Sequence, residues 1–192
     1  MSLEGFDFVP LTEDFELLPF HCKDDDLNNF LYEDAKHYLT ELLAVTYLFI
    51  DPQAKKTVAY FSLLNDKVAL DPEEKSFWNR LNRRISNKKR RKTYPSVKIG
   101  RLAVSEDYEK NGIGRDILNF IKHAFTNGNR TGCRFLTVDA YATAVDFYIK
   151  NDFEFFTEKD GDDETRLMIF DLKPFKDKQQ SSRKNVLSVM PK

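Results

Sequence analysis

The fold is decided by the stretch Arg101-Leu-Ala-Val-Ser-Glu-Asp-Tyr-Glu-Lys-Asn-Gly-Ile-Gly-Arg-Asp-Ile-Leu118, in which an apolar strand, a polar turn and an amphipathic helix follow one another. The glycines at 112 and 114 let the backbone approach a ligand and aim several N–H groups at one point. The helix N-terminus adds a partial positive charge, so the turn suits a pyrophosphate. An ordinary strand–turn–helix connection has the same pattern, so the glycines alone do not settle the matter.

The composition indicates one globular domain and gives no sign of a membrane span or of a disulfide-rich framework. The chain has 192 residues, 41% of them hydrophobic, which is enough for a sizeable core. Its net charge is −1, so the chain as a whole is not a general polyanion binder. We expect no membrane span, because no apolar run approaches the roughly 20 residues that a bilayer requires. Two cysteines, Cys22 and Cys133, without a Cys-x-x-Cys spacing favour a reducing, cytoplasmic location.

The order of apolar patterns predicts an α/β or α+β domain with a mixed, mostly antiparallel sheet flanked by helices. Strands are expected at 6–11, 44–50, 57–64, 97–104, 135–140, 153–157 and 166–172. Helices are expected from 27 to 42, after Pro72, from 113 to about residue 125, and from 142 to 150. The polar, weakly patterned segment 176–192 is expected to be a flexible C-terminal tail.

A second motif stands some distance downstream of the glycine turn. The sequence Ala144-Val-Asp-Phe-Tyr148-Ile-Lys-Asn-Asp-Phe153 follows the strand expected at 135–140. Together, the two motifs resemble the signatures of the GNAT (GCN5-related) N-acetyltransferases, which read R/Q-x-x-G-x-G/A and A-x-x-F-Y-x-K-x-G-F. Two positions differ from that pattern: Glu109 stands where the family has Gln or Arg, and Asp152 stands where it has Gly.

This resemblance implies a single acetyltransferase domain over residues 1–175 that uses acetyl-CoA as its co-substrate. In the GNAT fold the strand before the glycine turn splays away from its neighbour, and the opening accepts the pantetheine arm. The expected contacts of the coenzyme are the main chain of Leu102 and Val104, the amides of Asn111, Gly112 and Gly114, and Lys110 and Arg115. For Arg115, a solvated helix side chain is an equally good interpretation.

Tyr148 is the candidate general acid. Acyl transfer from a thioester to an amine expels a thiolate, which a phenol held within hydrogen-bond reach can protonate. The resemblance gives this role to the tyrosine of the second motif, whereas a purely packing role is the simpler alternative. No base is singled out: Asp139 is a candidate, but an Asp at a strand end is more typical of a turn. The three histidines share no spacing, so no metal is expected.

A basic run lies ahead of the strand at 97–104. Seven of the ten residues between Arg83 and Lys92 are basic, namely Arg83, Arg84, Lys88, Lys89, Arg90, Arg91 and Lys92. Such a patch binds phosphate backbones, although a solvated helix face and loop is the plainer interpretation. Three parts of the chain resemble the GNAT toxins that acetylate the amine of aminoacyl-tRNA: Tyr94–Val97 with Gly100–Val104, Val138–Ala140 with Asp146–Tyr148, and Phe20–Cys22 with Leu27–Leu31. That resemblance implies tRNA as substrate and an antitoxin as partner, with small-molecule or protein amines, a non-catalytic CoA-binding module and a homodimer left open.

Overall fold

The computed structural model describes residues 3–69, 75–85, 92–127, 131–157, 161 and 163–189. Its strands are β1 (Asp7–Pro10), β2 (Val45–Asp51), β3 (Lys56–Ala69), β4 (Thr93–Val104), β5 (Phe135–Tyr141), β6 (Glu154–Phe155) and β7 (Thr165–Asp171). Its α-helices are α1 (Asp25–Asn29), α2 (Ala35–Thr40), α3 (Lys75–Arg84), α4 (Ile113–Thr126), α5 (Val145–Lys150) and α6 (Leu172–Val189).

The seven strands form one mostly antiparallel sheet in the order β1-β2-β3-β4-β5-β7-β6. Strand β1 pairs antiparallel with β2, placing Phe8 opposite Phe49, and β2 pairs antiparallel with β3. Strand β7 pairs antiparallel with both β5 and β6. This arrangement confirms the mixed, mostly antiparallel sheet with flanking helices that the sequence predicts, whereas the splay of β4 stays a prediction.

Contacts between residues divide the chain into two compact units, of which the first comprises residues 1–65 and 97–120. Its core joins β2, β3 and β4 to the α1–α2 segment through Leu31, Leu48, Tyr60 and Ala103. Asp24 begins α1, because its carboxylate accepts hydrogen bonds from the backbone N–H groups of residues 26 and 27. A π-helical turn (Phe30–Asp34) separates α1 from α2 within one helical segment.

The second unit comprises residues 66–96 and 121–192. Its core contains the buried Trp78 and Leu81 of α3 together with Tyr94 of β4, Phe135 of β5 and Ile169 of β7. The Trp78 and Tyr94 rings are 5.4 Å apart between centroids. Helix α3 is amphipathic, because its apolar side chains Trp78 and Leu81 are buried and its arginines are exposed.

The chain after β7 forms a helix, which the sequence analysis did not predict. The segment expected to be a tail is helical as far as Val189, since α6 runs on directly from β7. The sequence from 175 to 189 has neither Gly nor Pro and is rich in Lys, Gln and Arg, which tolerate a helix well. An ion pair between Lys173 and Asp177, four residues apart, adds to the first turns. The flexibility of this segment and the single-domain boundary at 175 stay predictions.

Candidate functional site

The turn between β4 and α4 is built into the first unit by backbone hydrogen bonds on both sides. Ser105 N–H donates to the carbonyl of Val58 on β3 (2.9 Å), and Glu106 N–H donates to the carbonyl of His21 (3.0 Å). One 3-10 turn (Glu106–Tyr108) follows, and its Tyr108 hydroxyl donates to Asp51 Oδ2 (2.9 Å). The start of the turn is therefore anchored to the sheet rather than free in solvent.

The second half of the turn has the backbone conformation that an anion-binding loop requires. Lys110 and Gly112 both have positive φ, 63° and 77°, the left-handed conformation that occurs in anion-binding nests of successive backbone N–H groups. The first α-helical hydrogen bond runs from Asp116 N–H to Gly112 C=O (3.0 Å). The N–H groups of Ile113, Gly114 and Arg115 consequently have no partner within the helix and belong to its positive end.

Arg115 lies across this turn. Its Nη2 atom is 3.3 Å from the point where a Cβ on Gly112 would lie, and its side chain is 67% exposed. A side chain at 112 would therefore occupy the space between the backbone and the guanidinium. Lys110 and Asn111 are exposed on the same turn. The residues present fit a pyrophosphate, because backbone amides, a glycine surface and a cation converge here.

Glu109, the departure from the GNAT pattern, is paired with a cation. Its carboxylate binds the ammonium of Lys23, which lies on the loop before α1. This pair raises the pKa of Lys23, chiefly through the hydrogen bond to Glu109, and the ammonium stays charged. The Glu109 side chain is thus directed to Lys23 and its charge is compensated. Sequence reasoning did not identify Lys23, although the unexplained carboxylate at 109 was the signal for such a counter-charge.

Leu102 and Val104 are half-buried at the end of β4, whereas Ala103 between them belongs to the core of the first unit. Their side chains therefore alternate with a core position, as expected for a strand. The contact of their main-chain groups with a pantetheine arm stays a prediction.

Tyr148 lies in the second unit, on α5, and is 6% exposed. Its ring contacts those of Phe147 and Phe153 in edge-to-face geometry, with centroids 5.1 and 5.3 Å away. Burial raises the pKa of the Tyr148 phenol well above its usual value. The hydroxyl is therefore protonated across the physiological range, which is the state that a proton donor requires.

The basic run is described only at its two ends. Arg83 and Arg84 close α3 and are exposed, and Lys92 is exposed just before β4. Arg84 is partly neutralised, because it and Arg80 both bind the carboxylate of Glu154, at 3.0 and 3.3 Å. The remaining residues of the run, Lys88, Lys89, Arg90 and Arg91, lie outside the described residues.

The described residues contain neither a metal-binding cluster nor a membrane-spanning helix. Among these residues, no group of three or more His, Cys, Asp or Glu side chains is arranged to hold a metal ion. Within the same described ranges, every helix is either too short or too polar to cross a bilayer.

Comparison of the sequence with family models places the two motifs within a known domain. Residues 84–168 match the model described as "Acetyltransferase (GNAT) domain". The match confirms the resemblance to this class of acetyl-CoA-dependent N-acetyltransferases. None of the curated proteins matches the chain.

Solved structures of the same fold cover most of the chain. A tyrosine-to-phenylalanine variant of KacT is 17% identical and has a TM-score of 0.70, covering 89% of this chain and 97% of its own. A similar variant of the AtaT toxin, bound to the C-terminus of the antitoxin AtaR and acetyl-CoA, is 18% identical with a TM-score of 0.67, covering 89% and 96%. AtaT complexed with acetyl-methionyl-tRNAfMet is 21% identical with a TM-score of 0.69, covering 88% and 96%. These likenesses confirm the fold predicted from the two motifs.

Proposed function

We propose that this protein transfers the acetyl group of acetyl-CoA to a primary amine, because residues 84–168 match the model of an acetyltransferase (GNAT) domain and the chain has the GNAT fold. The observation that carries the proposal is the turn before α4. Two of its residues have positive φ, the N-terminal amides of α4 follow it, and the Arg115 guanidinium lies beside Gly112. A pyrophosphate is the anion that such a turn binds best, because it accepts several N–H bonds at once.

In this proposal one group of residues binds the coenzyme, and Tyr148 transfers a proton. Asn111, Gly112 and Gly114 bind the pyrophosphate through backbone amides, and Lys110 and Arg115 add positive charge. The main chain of Leu102 and Val104 binds the pantetheine arm in the manner of an added strand. Acetyl-CoA supplies the activated acetyl thioester. The neutral amine attacks the thioester carbonyl directly in a ternary complex, the C–S bond breaks, and the Tyr148 hydroxyl gives its proton to the departing thiolate. The proton that the amine nitrogen loses restores the phenol by way of solvent.

Direct attack is favoured over a covalent acyl-enzyme because of the state of Cys22. Burial raises the pKa of the Cys22 thiol, so the nucleophilic thiolate is scarce at neutral pH. Burial outweighs the backbone hydrogen bond at Asp24, which lowers the pKa of this thiol. Cys22 is therefore a packed core residue and not a relay for the acetyl group.

For the acceptor we propose the amine of an aminoacyl-tRNA. The basic run from Arg83 to Lys92 provides the charge that a phosphate backbone requires, in a chain whose net charge is −1. AtaT, which shares the fold, has been solved with acetyl-methionyl-tRNAfMet and with the antitoxin AtaR. By analogy with AtaT, we propose that this chain acts as a toxin and is restrained by an antitoxin. A cytoplasmic location and a homodimer are further parts of this proposal.

The test is incubation of the protein with labelled acetyl-CoA and total charged tRNA, followed by identification of the aminoacyl bond that carries the label. We expect base-labile label on RNA, and expression without an antitoxin should arrest growth. Absence of label on RNA together with normal growth would replace tRNA by a small-molecule or protein amine as acceptor.

A non-catalytic module that binds CoA is the second candidate, because Glu109 and Asp152 depart from the family pattern. The two functions differ in thiol release. An enzyme releases free CoA in the presence of a suitable amine, whereas a module binds acetyl-CoA and leaves the thioester intact. A panel containing charged tRNA, polyamines and peptide N-termini therefore separates them.

Reversal of charge in the basic run tests the acceptor. The double substitution Lys88→Glu with Arg90→Glu should weaken tRNA binding and flatten its dependence on salt, because fewer counterions are released. The affinity for acetyl-CoA, measured by calorimetry, should not change. Equal tRNA binding by the variant and the parent would show that the basic run is only a solvated helix face and loop and does not bind RNA.

The pair between Lys23 and Glu109 gives a second test of the turn. Removal of the ammonium in Lys23→Ala should weaken acetyl-CoA binding severalfold, because the Glu109 carboxylate then faces the phosphates uncompensated. Adding Glu109→Gln to that variant should restore the affinity. The matched control is Lys56→Ala, which breaks the neighbouring pair with Asp107. If Lys23→Ala bound acetyl-CoA like the parent, Glu109 would lie too far from the phosphates to matter.

A further inference from the structure

Lys122 is a buried lysine that the proposed chemistry does not use. It lies in the C-terminal half of α4 and is only 2% exposed. Its ammonium donates a hydrogen bond to the backbone carbonyl of Asn151 (2.7 Å), the residue that caps the C-terminus of α5. Lysine is almost never fully buried unless it is paired, so this contact requires an explanation.

The groups around the ammonium are electron-rich, and no carboxylate among the described residues forms an ion pair with it. Nζ is 4.1 Å from the ring centroid of Phe170 and 5.6 Å from that of Phe153. The faces of these rings attract a cation, and the carbonyl end of α5 carries a partial negative charge. Burial lowers the pKa of Lys122 to about 8, and the charge of Asp152 only partly opposes this effect. Burial of the charged Lys122 ammonium is therefore unfavourable for the stability of the fold.

The carbonyl that Lys122 binds belongs to the turn that fixes Tyr148. Phe153 N–H donates back to the carbonyl of Tyr148 (3.0 Å), and the Asn151 side-chain amide donates to the carbonyl of Phe147 (2.7 Å). Asp152, between them, has φ of 65°, a conformation that glycine adopts more easily. The same turn brings the Phe153 ring against that of Tyr148. The position of the Tyr148 hydroxyl thus depends on a turn in which Asp152 adopts a positive φ, an unfavourable backbone conformation for a residue with a side chain.

We propose that Lys122 is a positioning residue for Tyr148: its ammonium clamps the Asn151 carbonyl and the Phe153 ring, and so fixes the helix end from which the phenol projects. This inference rests on the proposed function, in which Tyr148 is the proton donor. An apolar residue would continue the stripe of Ile117, Leu118 and Ile121 and would avoid burying a charge. The lysine is retained at a cost in stability, which a role in packing alone does not explain.

The decisive comparison is between Lys122→Met and Lys150→Met. Both remove one positive charge, but Lys150 is exposed at the end of α5. We expect Lys122→Met to lower kcat about tenfold, as for a misplaced general acid, with the calorimetric affinity for acetyl-CoA unchanged. Its melting temperature should equal or exceed that of the parent, because the burial cost is removed. Lys150→Met should match the parent, and Lys122→Gln, which keeps a donor, should recover part of the rate.

The pH dependence provides a readout that packing alone would not change. In the folded protein Lys122 titrates at about 8, against 10.5 for an unperturbed lysine. Asp152 is the charged group that acts on it, since Phe153 and Phe170 carry no charge. The parent's kcat should therefore fall above pH 8, and this limb should be absent in Lys122→Met. The parent's stability should rise from pH 8 to 10.5, because the unfolded chain then binds more protons.

A fluorine probe separates failure of this inference from failure of the proposed function. With 3-fluorotyrosine incorporated, the resonance of residue 148 is identified by its loss in Tyr148→Phe. We expect Lys122→Met to shift or broaden that resonance and Lys150→Met to leave it unchanged, whether or not the parent transfers acetyl groups. An unchanged resonance, or a fall in melting temperature that accounts for the lost rate, overturns the positioning role. An inactive parent whose Tyr148 resonance still responds overturns only the proposed function.

Discussion

The Tyr148→Phe variant is expected to lose about 100-fold in kcat, the size of effect that removal of a general acid produces. Its affinity for acetyl-CoA should be that of the parent, because the ring remains and only the hydroxyl is lost. The aromatic contacts with Phe147 and Phe153 persist in the variant, so the fold should be preserved. The measurements are kcat under saturating amine and coenzyme, and calorimetric titration with acetyl-CoA.

Tyr141→Phe is the matched control, since Tyr141 is 42% exposed at the end of β5 and its hydroxyl has no assigned role. Burial raises the pKa of Tyr148, so its ionisation should not limit kcat anywhere below pH 10. An unchanged rate in Tyr148→Phe, with chemistry limiting, would eliminate the acid role and leave Tyr148 as a packing residue.

The Gly112→Asp variant should lose measurable acetyl-CoA binding, a reduction of about 100-fold or more. Three effects act together. Gly112 has φ of 77°, which a residue with a Cβ adopts at a cost. That Cβ would lie 3.3 Å from Nη2 of Arg115, and the new carboxylate would bind the guanidinium in place of a phosphate. The remaining negative charge repels the pyrophosphate.

Two controls separate these effects. Gly112→Asn has almost the same size and backbone preference without the charge, so its affinity should lie between those of the parent and Gly112→Asp. Gly132→Asp should bind acetyl-CoA normally, because a Cβ there meets no atom within 4 Å. Normal binding by Gly112→Asp would mean that the pyrophosphate site lies elsewhere.

The sequence predicted the parts of this protein that depend on local pattern. The turn 109–114 and the helix after it were recognisable because glycines and an apolar stripe are local signals. Tyr148 was selected from its motif as the candidate general acid, a role that stays a prediction. Strand β3 extends past the apolar run 57–64 to Ala69, because Asn65, Asp66 and Lys67 interrupt the apolar pattern without ending the strand. Thr137 of β5 donates to Asp66 Oδ2 (2.7 Å), a tertiary contact that satisfies one of these polar residues.

The residues that the sequence did not reveal act through contacts distant along the chain. Lys23 is 86 residues from Glu109 and Lys122 is 29 residues from Asn151, so no local window contains either pair. On a helical wheel, Lys122 lies beside the apolar stripe of α4, where a lysine ordinarily extends its stem and leaves the ammonium in water. Only the structure shows that this ammonium is enclosed.

The placement of Trp78 has a practical consequence for spectroscopy. It is the single tryptophan of the chain, and it is buried against Tyr94 in the core of the second unit. Intrinsic emission excited at the red edge of the absorption band therefore reports on that unit alone. The first unit instead holds a phenylalanine and tyrosine cluster on β1, β2 and β3, with Phe8 stacked on Tyr47. Near-ultraviolet dichroism therefore reports on both units, because Tyr94 and Tyr148 contribute from the second. Denaturation followed by both signals measures the cooperativity of the two units in a single unlabelled sample.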